Sequence, residues 1–216
     1  SGQLKAKIDF NYEEKASYSI RIKVTDNGGL SFESVQLINI QNVNESPTGL
    51  AISNSSLGEN QGADAFIATL TASDPDAGST FTFELANGAG SENNSSFSIS
   101  NSNELRANSS FDFESKSSYS IRLKVSDGGG LSYEKQFTIS VTDKNDSPTD
   151  VVLSASSVTE NVSGAIIGAF TATDQDASDS HTYKLIEGEG DESNDLFSIN
   201  SSGQLVTSST LNFESS

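Results

Sequence analysis

The sequence lacks the residues from which several kinds of site are built. In 216 residues it contains no cysteine, no tryptophan, three prolines and one histidine. The absence of cysteine excludes a disulfide framework and every zinc or iron site that depends on thiolate ligands. The absence of tryptophan removes the largest aromatic face on which a sugar ring can stack. Sulfur-based metal sites are therefore excluded, and a carbohydrate platform is disfavoured.

Basic residues and long apolar runs are also scarce. Thirty acidic residues stand against 12 basic ones, which gives a formal net charge of −18. A protein of that charge repels nucleic acids and anionic lipid surfaces, and it suits a bound cation. No apolar run approaches the roughly 20 residues that span a bilayer. We therefore expect no nucleic-acid partner and no direct insertion of this chain into a membrane.

The chain repeats itself with a period near 101 residues. Pro47 recurs at Pro148, a spacing of 148 − 47 = 101, and SYSIRIKV at residues 17–24 recurs as SYSIRLKV at 118–125. A period of about 100 residues matches one β-sandwich domain and is too long for a solenoid repeat. The phase predicts three parts: the C-terminal part of one repeat (1–46), a complete repeat (47–147) and the N-terminal part of a third (148–216).

Within the complete repeat, apolar residues alternate with polar ones at the period of β-strands. Inward-facing sets are Tyr119, Ile121, Leu123 and Val125, then Phe137, Ile139 and Val141, and also Phe66, Ala68 and Leu70 within residues 65–73. Joints rich in Gly, Asn and Ser separate these segments, and none has a sustained helical period. About seven short strands in 100 residues predict an all-β chain of tandem Greek-key β-sandwiches similar to immunoglobulin domains.

Acidic residues cluster where one predicted repeat meets the next. The linker Asp143-Lys144-Asn145-Asp146-Ser147-Pro148 follows an alternating run, and its proline ends the strand because proline has no backbone N–H. Two carboxylates about 4 Å apart repel by roughly 4 kcal/mol at an effective dielectric constant near 20. A hard cation relieves that repulsion, and ligands that are all oxygen suit calcium. The linker is therefore interpreted as a calcium-binding hinge.

The order of these acidic motifs resembles a known family. Glu59-Asn60, Asp74-Pro75-Asp76, Asp112-Phe113-Glu114, Asp127-Gly128-Gly129 and the linker at 143–148 look like the successive calcium motifs of cadherin repeats. The segments VTDNGGLSFE at 24–33 and Asn44-Glu45-Ser46-Pro47-Thr48 are most similar in sequence to cadherin-like tandem repeats of large bacterial surface adhesins. The resemblance covers the whole chain and implies calcium as the bound ion.

The resemblance also implies two sets of calcium ligands, one at each junction between repeats. The set at the second junction is Glu59, Asp112, Glu114, Asp143, the carbonyl of Lys144, Asn145, Asp146, the carbonyl of Ser147, Asp174 and Asp176. The set at the first junction is Glu13, Asn42, Asn44, Glu45, Asp74, Asp76 and Asp127. Asn42 stands where Asp143 stands later, and Asn11 stands where Asp112 stands, so we expect fewer or weaker ions at the first junction.

Two functions remain open after these observations. The first is a structural spacer of an extracellular cell-surface adhesin, in which calcium turns a flexible string of domains into a rod. The alternative is a calcium-dependent binding module for carbohydrate or for homophilic contact between cells in a biofilm. The expected partners are neighbouring repeats of the same polypeptide and, as a weaker hypothesis, other copies joined head to tail.

An enzyme is not expected. The single histidine, His181, occupies the position of Phe81 in the repeat and is interpreted as a strand-edge residue. A catalytic triad or a zinc site would need other groups beside it. The pair Asp74 and Asp76 recurs with the repeat at Asp174 and Asp176, and catalysis has no need of one copy per repeat.

Overall fold

The computed structural model describes residues 2–215, which fold as two compact units divided between Asp143 and Lys144. Both units are built from β-strands, and their only helical turns in the described residues are the short 3-10 turns Asn94–Ser96, Asn194–Leu196 and Phe213–Ser215. No helix in this part of the chain has the length and apolar character needed to cross a membrane. The expected all-β fold class is confirmed.

The described residues of the first unit form ten strands. They are β1 (Ser17–Thr25), β2 (Ser31–Asn39), β3 (Gly49–Ile52), β4 (Ser56–Gly58), β5 (Phe66–Ser73), β6 (Phe81–Leu85), β7 (Phe97–Ser100), β8 (Glu104–Ala107), β9 (Ser118–Asp127) and β10 (Ser132–Thr142). Strands β3 to β10 form a sandwich of two four-stranded sheets, β3-β5-β8-β7 and β4-β10-β9-β6. Strand β4 pairs parallel with its neighbour, β10, and every other strand pair in residues 2–215 is antiparallel. The sequence pattern did not reveal this short strand.

One hydrophobic core lies between the two sheets. Most of the predicted inward residues of β9 and β10 are buried: Ile121, Leu123, Val125 and Ile139 have no exposed surface, and Val141 is 3% exposed. Tyr119 and Phe137 are partly buried and pack against this core. Phe97, Phe111 and Tyr119 close one end, with Phe111 and Tyr119 stacked at 4.4 Å between ring centroids. The alternation in these strands is what a sheet with one face on a core requires.

The prediction for β5 was wrong at two adjacent residues, Phe66, which was assigned to the core, and Ile67, which was assigned to the opposite face. Phe66 was assigned to the core, but it is 48% exposed, whereas Ile67 beside it is buried at 1%. The register of β5 against β8 shifts between Phe66 and Ala68, so two residues of β5 oppose one residue of β8. Such a bulge changes the phase of alternation by one residue and turns Ile67 inward.

Strands β1 and β2 form an antiparallel hairpin ahead of the sandwich. Its register, Ser17↔Asn39 through Thr25↔Ser31, matches that of β9 with β10 at positions 101 residues later. Within the described residues this sheet has only two strands. Apolar side chains of the hairpin are therefore open to solvent, as at Ile22 (47% exposed) and Val24 (62%).

The second unit contains one four-stranded sheet. Its strands are β11 (Asp150–Leu153), β12 (Ile166–Thr173), β13 (Phe197–Ile199) and β14 (Gln204–Thr207), in the order β11-β12-β14-β13. This order reproduces β3-β5-β8-β7 of the sandwich, and the bulge recurs at Ile166 and Gly168. Residues 157–159 and 181–185, the counterparts of β4 and β6, are not strands. His181 is therefore not a strand-edge residue, contrary to the prediction.

Candidate metal centre

Three carboxylates converge where the β1–β2 hairpin meets the sandwich. Glu13 precedes β1, Glu45 lies in the linker between β2 and β3, and Asp76 follows β5. Each offers a carboxylate oxygen, and these oxygens all lie within 4.8 Å of one another. The arrangement joins three segments that are distant in sequence, and it places three negative charges together.

The linker is tied to the loop after β5 by hydrogen bonds to Asp76. The Asn42 Nδ2–H donates to Asp76 Oδ1 at 2.7 Å, and the backbone N–H of Glu45 donates to Asp76 Oδ2 at 2.8 Å. The backbone N–H of Asp76 in turn donates to Asp74 Oδ1 at 2.9 Å. The N–H of Glu45 and the Asn42 amide lower the pKa of Asp76, because both stabilise its ionised form.

A second tie runs from the linker to the turn after β9. The Asn44 Nδ2–H donates to Asp127 Oδ2 at 3.0 Å, and Asp127 Oδ1 accepts from the backbone N–H groups of Gly129 and Leu131. Asp127 is only 7% exposed. A Cβ at Gly129 would lie 2.4 Å from Cγ of Asn44, so the close approach of the linker depends on glycine. Asn42, Asn44, Asp76 and Gly129 line one cleft of about 320 Å³.

Two buried carboxylate oxygens of this centre have no partner. Among the described residues, Glu45 Oε2 and Asp74 Oδ2 are buried without any hydrogen bond. Burial, followed by the charges of Glu13 and Asp76, raises the pKa of Glu45. An unpaired buried carboxylate oxygen is costly, and a divalent cation ligated by it removes that cost. The oxygen-only donor set therefore fits a hard cation such as calcium.

A second carboxylate group lies at the other end of the sandwich. Glu59 follows β4, while Asp112 and Glu114 lie between β8 and β9, and an oxygen from each lies within 4.8 Å of the others. Glu59 is 1% exposed, and its Oε2 accepts the backbone N–H of Phe113 at 2.7 Å. Glu114 and Asp143 also offer oxygens within 4.8 Å of each other. Four predicted ligands of the first unit thus lie at this end.

The second unit holds the remaining predicted ligands. The backbone N–H of Asp146 donates to Asp176 Oδ2 at 2.6 Å, and the N–H of Asp176 donates to Asp174 Oδ1 at 3.1 Å. The Asn145 Nδ2–H donates to the carbonyl of Asp146 at 2.7 Å, so its amide is turned to the linker backbone. Lys144 and Ser147, predicted to bind through their carbonyls, lie in the same linker before β11.

Sequence reasoning missed two residues of the second unit. Asp179 lies with Asp174 and Asp176, one oxygen of each within 4.8 Å of the others. The middle repeat has Ser79 at the matching position, so comparison between repeats concealed it. His181 Nε2 lies 3.0 Å from Asp174 Oδ2 and lowers the pKa of Asp174 by hydrogen bonding and by charge. A histidine seven residues after the first aspartate of an Asp-x-Asp motif was the available signal.

The first unit brings together all seven residues predicted for the first junction. Glu13, Glu45 and Asp76 converge directly, while Asn42, Asn44, Asp74 and Asp127 join them through hydrogen bonds. The ion itself is not tested by this geometry, and the assignment of these residues as calcium ligands stays a prediction. The geometry does establish that the acidic motifs of the first junction lie next to one another in space.

Comparison with known proteins finds similarity to cadherins. Residues 53–142 match the family model of the cadherin domain. The chain is 30% identical over 224 aligned residues to human protocadherin Fat 4, and 30% identical over 196 residues to chimpanzee protocadherin gamma-A3. The alignments cover 99% and 87% of this chain but only 4% and 21% of those proteins. The chain thus spans a small part of the relatives it matches.

Solved cadherin structures share the fold. Extracellular cadherin domains 1–4 of protocadherin gamma B7 align with a TM-score of 0.64 and 23% identity, covering 95% of this chain and 52% of that one. Mouse cadherin-23 EC22–24 aligns with a TM-score of 0.59 and 23% identity, covering 94% and 67%. The cadherin-like fold is therefore confirmed. Cadherin domains typically occur as tandem repeats of extracellular adhesion proteins and bind Ca²⁺, and the family consists of adhesion proteins, not enzymes.

Proposed function

We propose that the chain is a run of calcium-binding structural repeats from an extracellular cell-surface adhesin, stiffened by Ca²⁺ where repeats meet. In this proposal, 1–46, 47–147 and 148–216 are parts of three successive cadherin-like repeats. The finer assignment to a large bacterial surface adhesin rests on the amino-acid sequences of the motifs at 24–33 and 44–48. No enzymatic activity is proposed.

The observation that supports calcium most directly is the pair of unpaired buried oxygens, Glu45 Oε2 and Asp74 Oδ2. Each belongs to a residue that the sequence motifs predict as a ligand. The linker and the loop after β5 together supply these oxygens, and Glu13 adds a third segment. A cation held there would be bound by groups from both sides of the joint, which is the requirement for fixing an interdomain angle.

The mechanism of stiffening follows from charge and connectivity. Glu13, Glu45 and Asp76 repel one another while ionised, and this repulsion opposes close approach of hairpin and sandwich. A bound Ca²⁺ supplies the positive charge that cancels the repulsion. The hydrogen bonds from Asn42 and from the N–H of Glu45 keep Asp76 oriented toward the linker. The groups Glu59, Asp112, Glu114 and Asp174, Asp176 are proposed as further ligands in their own units.

Calcium titration followed by calorimetry tests the proposal. The chain should bind Ca²⁺, its melting temperature should rise with calcium concentration, and a chelator should reverse the rise, because a ligand of the folded state stabilises it by mass action. Asp74→Asn should weaken binding without unfolding the sandwich, since asparagine keeps the shape of the side chain. An unchanged melting curve across millimolar calcium and excess chelator would contradict the proposal.

Glu33→Gln is the matched control for that variant. Glu33 is also an acidic residue of the first unit, but it pairs with Arg21 at 3.0 Å on the exposed face of the hairpin. Removing its charge changes the net charge by the same amount as Asp74→Asn does. Calcium affinity should therefore stay unchanged in Glu33→Gln, and an equal loss in both variants would indicate a nonspecific charge effect.

The alternative function, a binding module for carbohydrate or homophilic contact, is distinguished by a glycan array at millimolar calcium. One observation favours homophilic contact over a sugar. On the hairpin, β1 and β2 each have an edge without a partner strand in the described residues, whereas β9 and β10 pair there with β6 and β4. Unpaired edges are a template for strands of another chain.

The register of the sandwich specifies how a second copy would join head to tail. In β6 with β9, Phe83 lies opposite Val125 and Leu85 opposite Leu123. The equivalent residues are Tyr183 and Leu185 of one copy, facing Val24 and Ile22 of another. Lys184 would then face Lys23, where the sandwich has a 2.8 Å ion pair between Glu84 and Lys124. This like-charge pair opposes the exchange.

Lys184→Glu therefore tests the head-to-tail hypothesis. The substitution replaces repulsion with an ion pair, so it should shift sedimentation at high protein concentration toward dimers and longer species. Glu187→Lys, outside the pairing segment 181–185, changes charge without this effect. If neither the parent chain nor Lys184→Glu self-associates at millimolar concentration, the hypothesis is wrong and neighbouring repeats in the same polypeptide are the only partners proposed.

A further inference from the structure

We infer that the joint between hairpin and sandwich is held, in the absence of any cation, by an amide latch made of Asn42 and Asn44. Each asparagine lies in the linker, and each donates its side-chain N–H to a carboxylate of the sandwich. The inference rests on the proposed function in one respect: the same carboxylates, Asp76 and Asp127, are proposed as cation ligands. The latch makes this joint different in kind from one that is ordered only by metal.

Asn42 is the residue that makes the first contact possible. Its Nδ2–H donates to Asp76 Oδ1 at 2.7 Å, the length of a strong charge-assisted bond. The equivalent linker position one repeat later is Asp143. An aspartate at position 42 has the same shape but no N–H to donate, so it would set two carboxylates against each other. The Asn42 amide thus stabilises the Asp76 carboxylate by a hydrogen bond, and this reduces the repulsion that a cation would otherwise have to offset.

Asn44 makes the second contact, at a different element of the sandwich. Its Nδ2–H donates to Asp127 Oδ2 at 3.0 Å, at the end of β9, whereas Asp76 follows β5. The same Nδ2 also lies 3.2 Å from the carbonyl of Glu45, which holds the side chain against its own linker. Two contacts to two separate elements restrict the linker more than one contact does.

Gly129 allows the linker to sit this close. The ideal Cβ position at this glycine lies 2.4 Å from both Cγ and Oδ1 of Asn44. The clash involves a short side chain that is already hydrogen-bonded, so it cannot be relieved without losing the contact with Asp127. Gly129→Ala therefore breaks the Asn44 half of the latch, independently of any change in charge.

Distance measurement between two spin labels tests the latch directly. The chain contains no cysteine, so Gln36→Cys on β2 and Ser109→Cys in the loop after β8 give two unique labelling sites, one on each side of the joint. In excess chelator the parent chain should give a narrower distance distribution than Asn42→Asp, and calcium should narrow it further because it also offsets the repulsion among Glu13, Glu45 and Asp76. Asn42→Asp should widen the chelator distribution about twofold, and calcium should restore it.

Two further variants separate the possible results. Gly129→Ala should widen the distribution in chelator as well, while Asn87→Asp, an exposed amide outside the joint, should leave it unchanged. Circular dichroism of each variant checks that the sandwich is folded. A chelator distribution in the parent chain as wide as in Asn42→Asp would overturn the latch. If no variant responds to calcium but the Asn42 dependence remains, the proposed calcium function fails and the latch stands.

Discussion

The β1–β2 hairpin and the β9–β10 hairpin have nearly the same sequence and the same register but different surroundings. Ile22 and Leu123 occupy equivalent positions 101 residues apart; Ile22 is 47% exposed and Leu123 is fully buried. Val24 and Val125 differ in the same way, at 62% and 0%. Pairing within a hairpin is thus a local property, whereas burial depends on whether a second sheet faces it.

The same contrast separates the two copies of the first sheet. β3-β5-β8-β7 in the sandwich and β11-β12-β14-β13 in the second unit have the same strand order and the same bulge. Leu50 of β3 is 3% exposed, while its counterpart Val151 is 57% exposed. A sheet of this sequence forms its ladder without its partner sheet, but its apolar face then lies open.

The largest expected difference in stability between the two hairpins comes from truncating apolar side chains at matched positions. Leu123→Ala should lower the free energy of unfolding by about 2–5 kcal/mol, because it leaves a cavity in a packed core. Ile22→Ala, at the exposed equivalent, should change it by less than about 0.5 kcal/mol. Chemical denaturation measures both. Equal costs would mean that the hairpin is covered in solution, for example by a second copy.

Glu59 and Glu160 provide the next comparison, since each accepts a backbone N–H. Glu59 accepts from Phe113 at 2.7 Å and is 1% exposed; Glu160 accepts from Phe213 at 2.8 Å in a more open setting. Glu59→Ala should cost about 1–3 kcal/mol because a buried N–H loses its acceptor. Glu160→Ala should cost clearly less. Calcium-free denaturation curves of the two variants check the order.

The cross-strand ion pairs of the two hairpins should differ less in their contribution to stability than the residues above. Arg122 pairs with Glu134 at 2.7 Å with 27% of its side chain exposed, whereas Arg21 pairs with Glu33 at 3.0 Å with 71% exposed. Double-mutant cycles should give a coupling energy of up to about 1 kcal/mol for the first pair and about 0.2 kcal/mol for the second. A larger coupling energy for Arg21–Glu33 than for Arg122–Glu134 would contradict the expectation that solvent screens the more exposed ion pair more strongly.

The smallest expected effect is the contribution of the Glu104–Arg106 pair to stability in acid, because the second unit has no counterpart of this pair. The Arg106 guanidinium and then the Asn101 amide lower the pKa of Glu104 below its ordinary value of 4.5. Because the folded pKa is depressed, the stabilisation is present above pH 4.5 and is lost as the pH falls through the lower folded value. The second unit has Gln204 and Val206 at these positions.

Glu104→Gln should therefore flatten the acid limb of the unfolding curve. Denaturation midpoints measured between neutral pH and the acid range give the slope for the parent chain and for the variant. Gln204→Glu in the second unit is the matched control: Val206 offers no cation and only the Asn200 amide donates to this side chain, so the new carboxylate should add less slope than Glu104 contributes. An identical acid limb in Glu104→Gln would show that this pair has no part in acid stability.

Much of the fold could be predicted because its signals are local. Alternation identified β9 and β10 with their buried faces, and repetition aligned every motif. The bulge at Phe66 and the short strand β4 could not be predicted, since neither interrupts the sequence pattern. Among the site residues, the convergence of Glu13, Glu45 and Asp76 followed from their motifs, whereas Asp179 and the contact between His181 and Asp174 had no counterpart in the middle repeat.

The amino-acid sequence by itself determined the strands, their pairing within each hairpin and the positions of the acidic motifs, because alternation and turn residues act over a few neighbours. Only the tertiary structure decided which apolar faces are buried, and which carboxylate meets an amide and which meets another carboxylate. Those outcomes depend on segments that lie tens of residues apart, such as Asn44 and Asp127. Packing and charge act through space, and the chain must fold before they are defined.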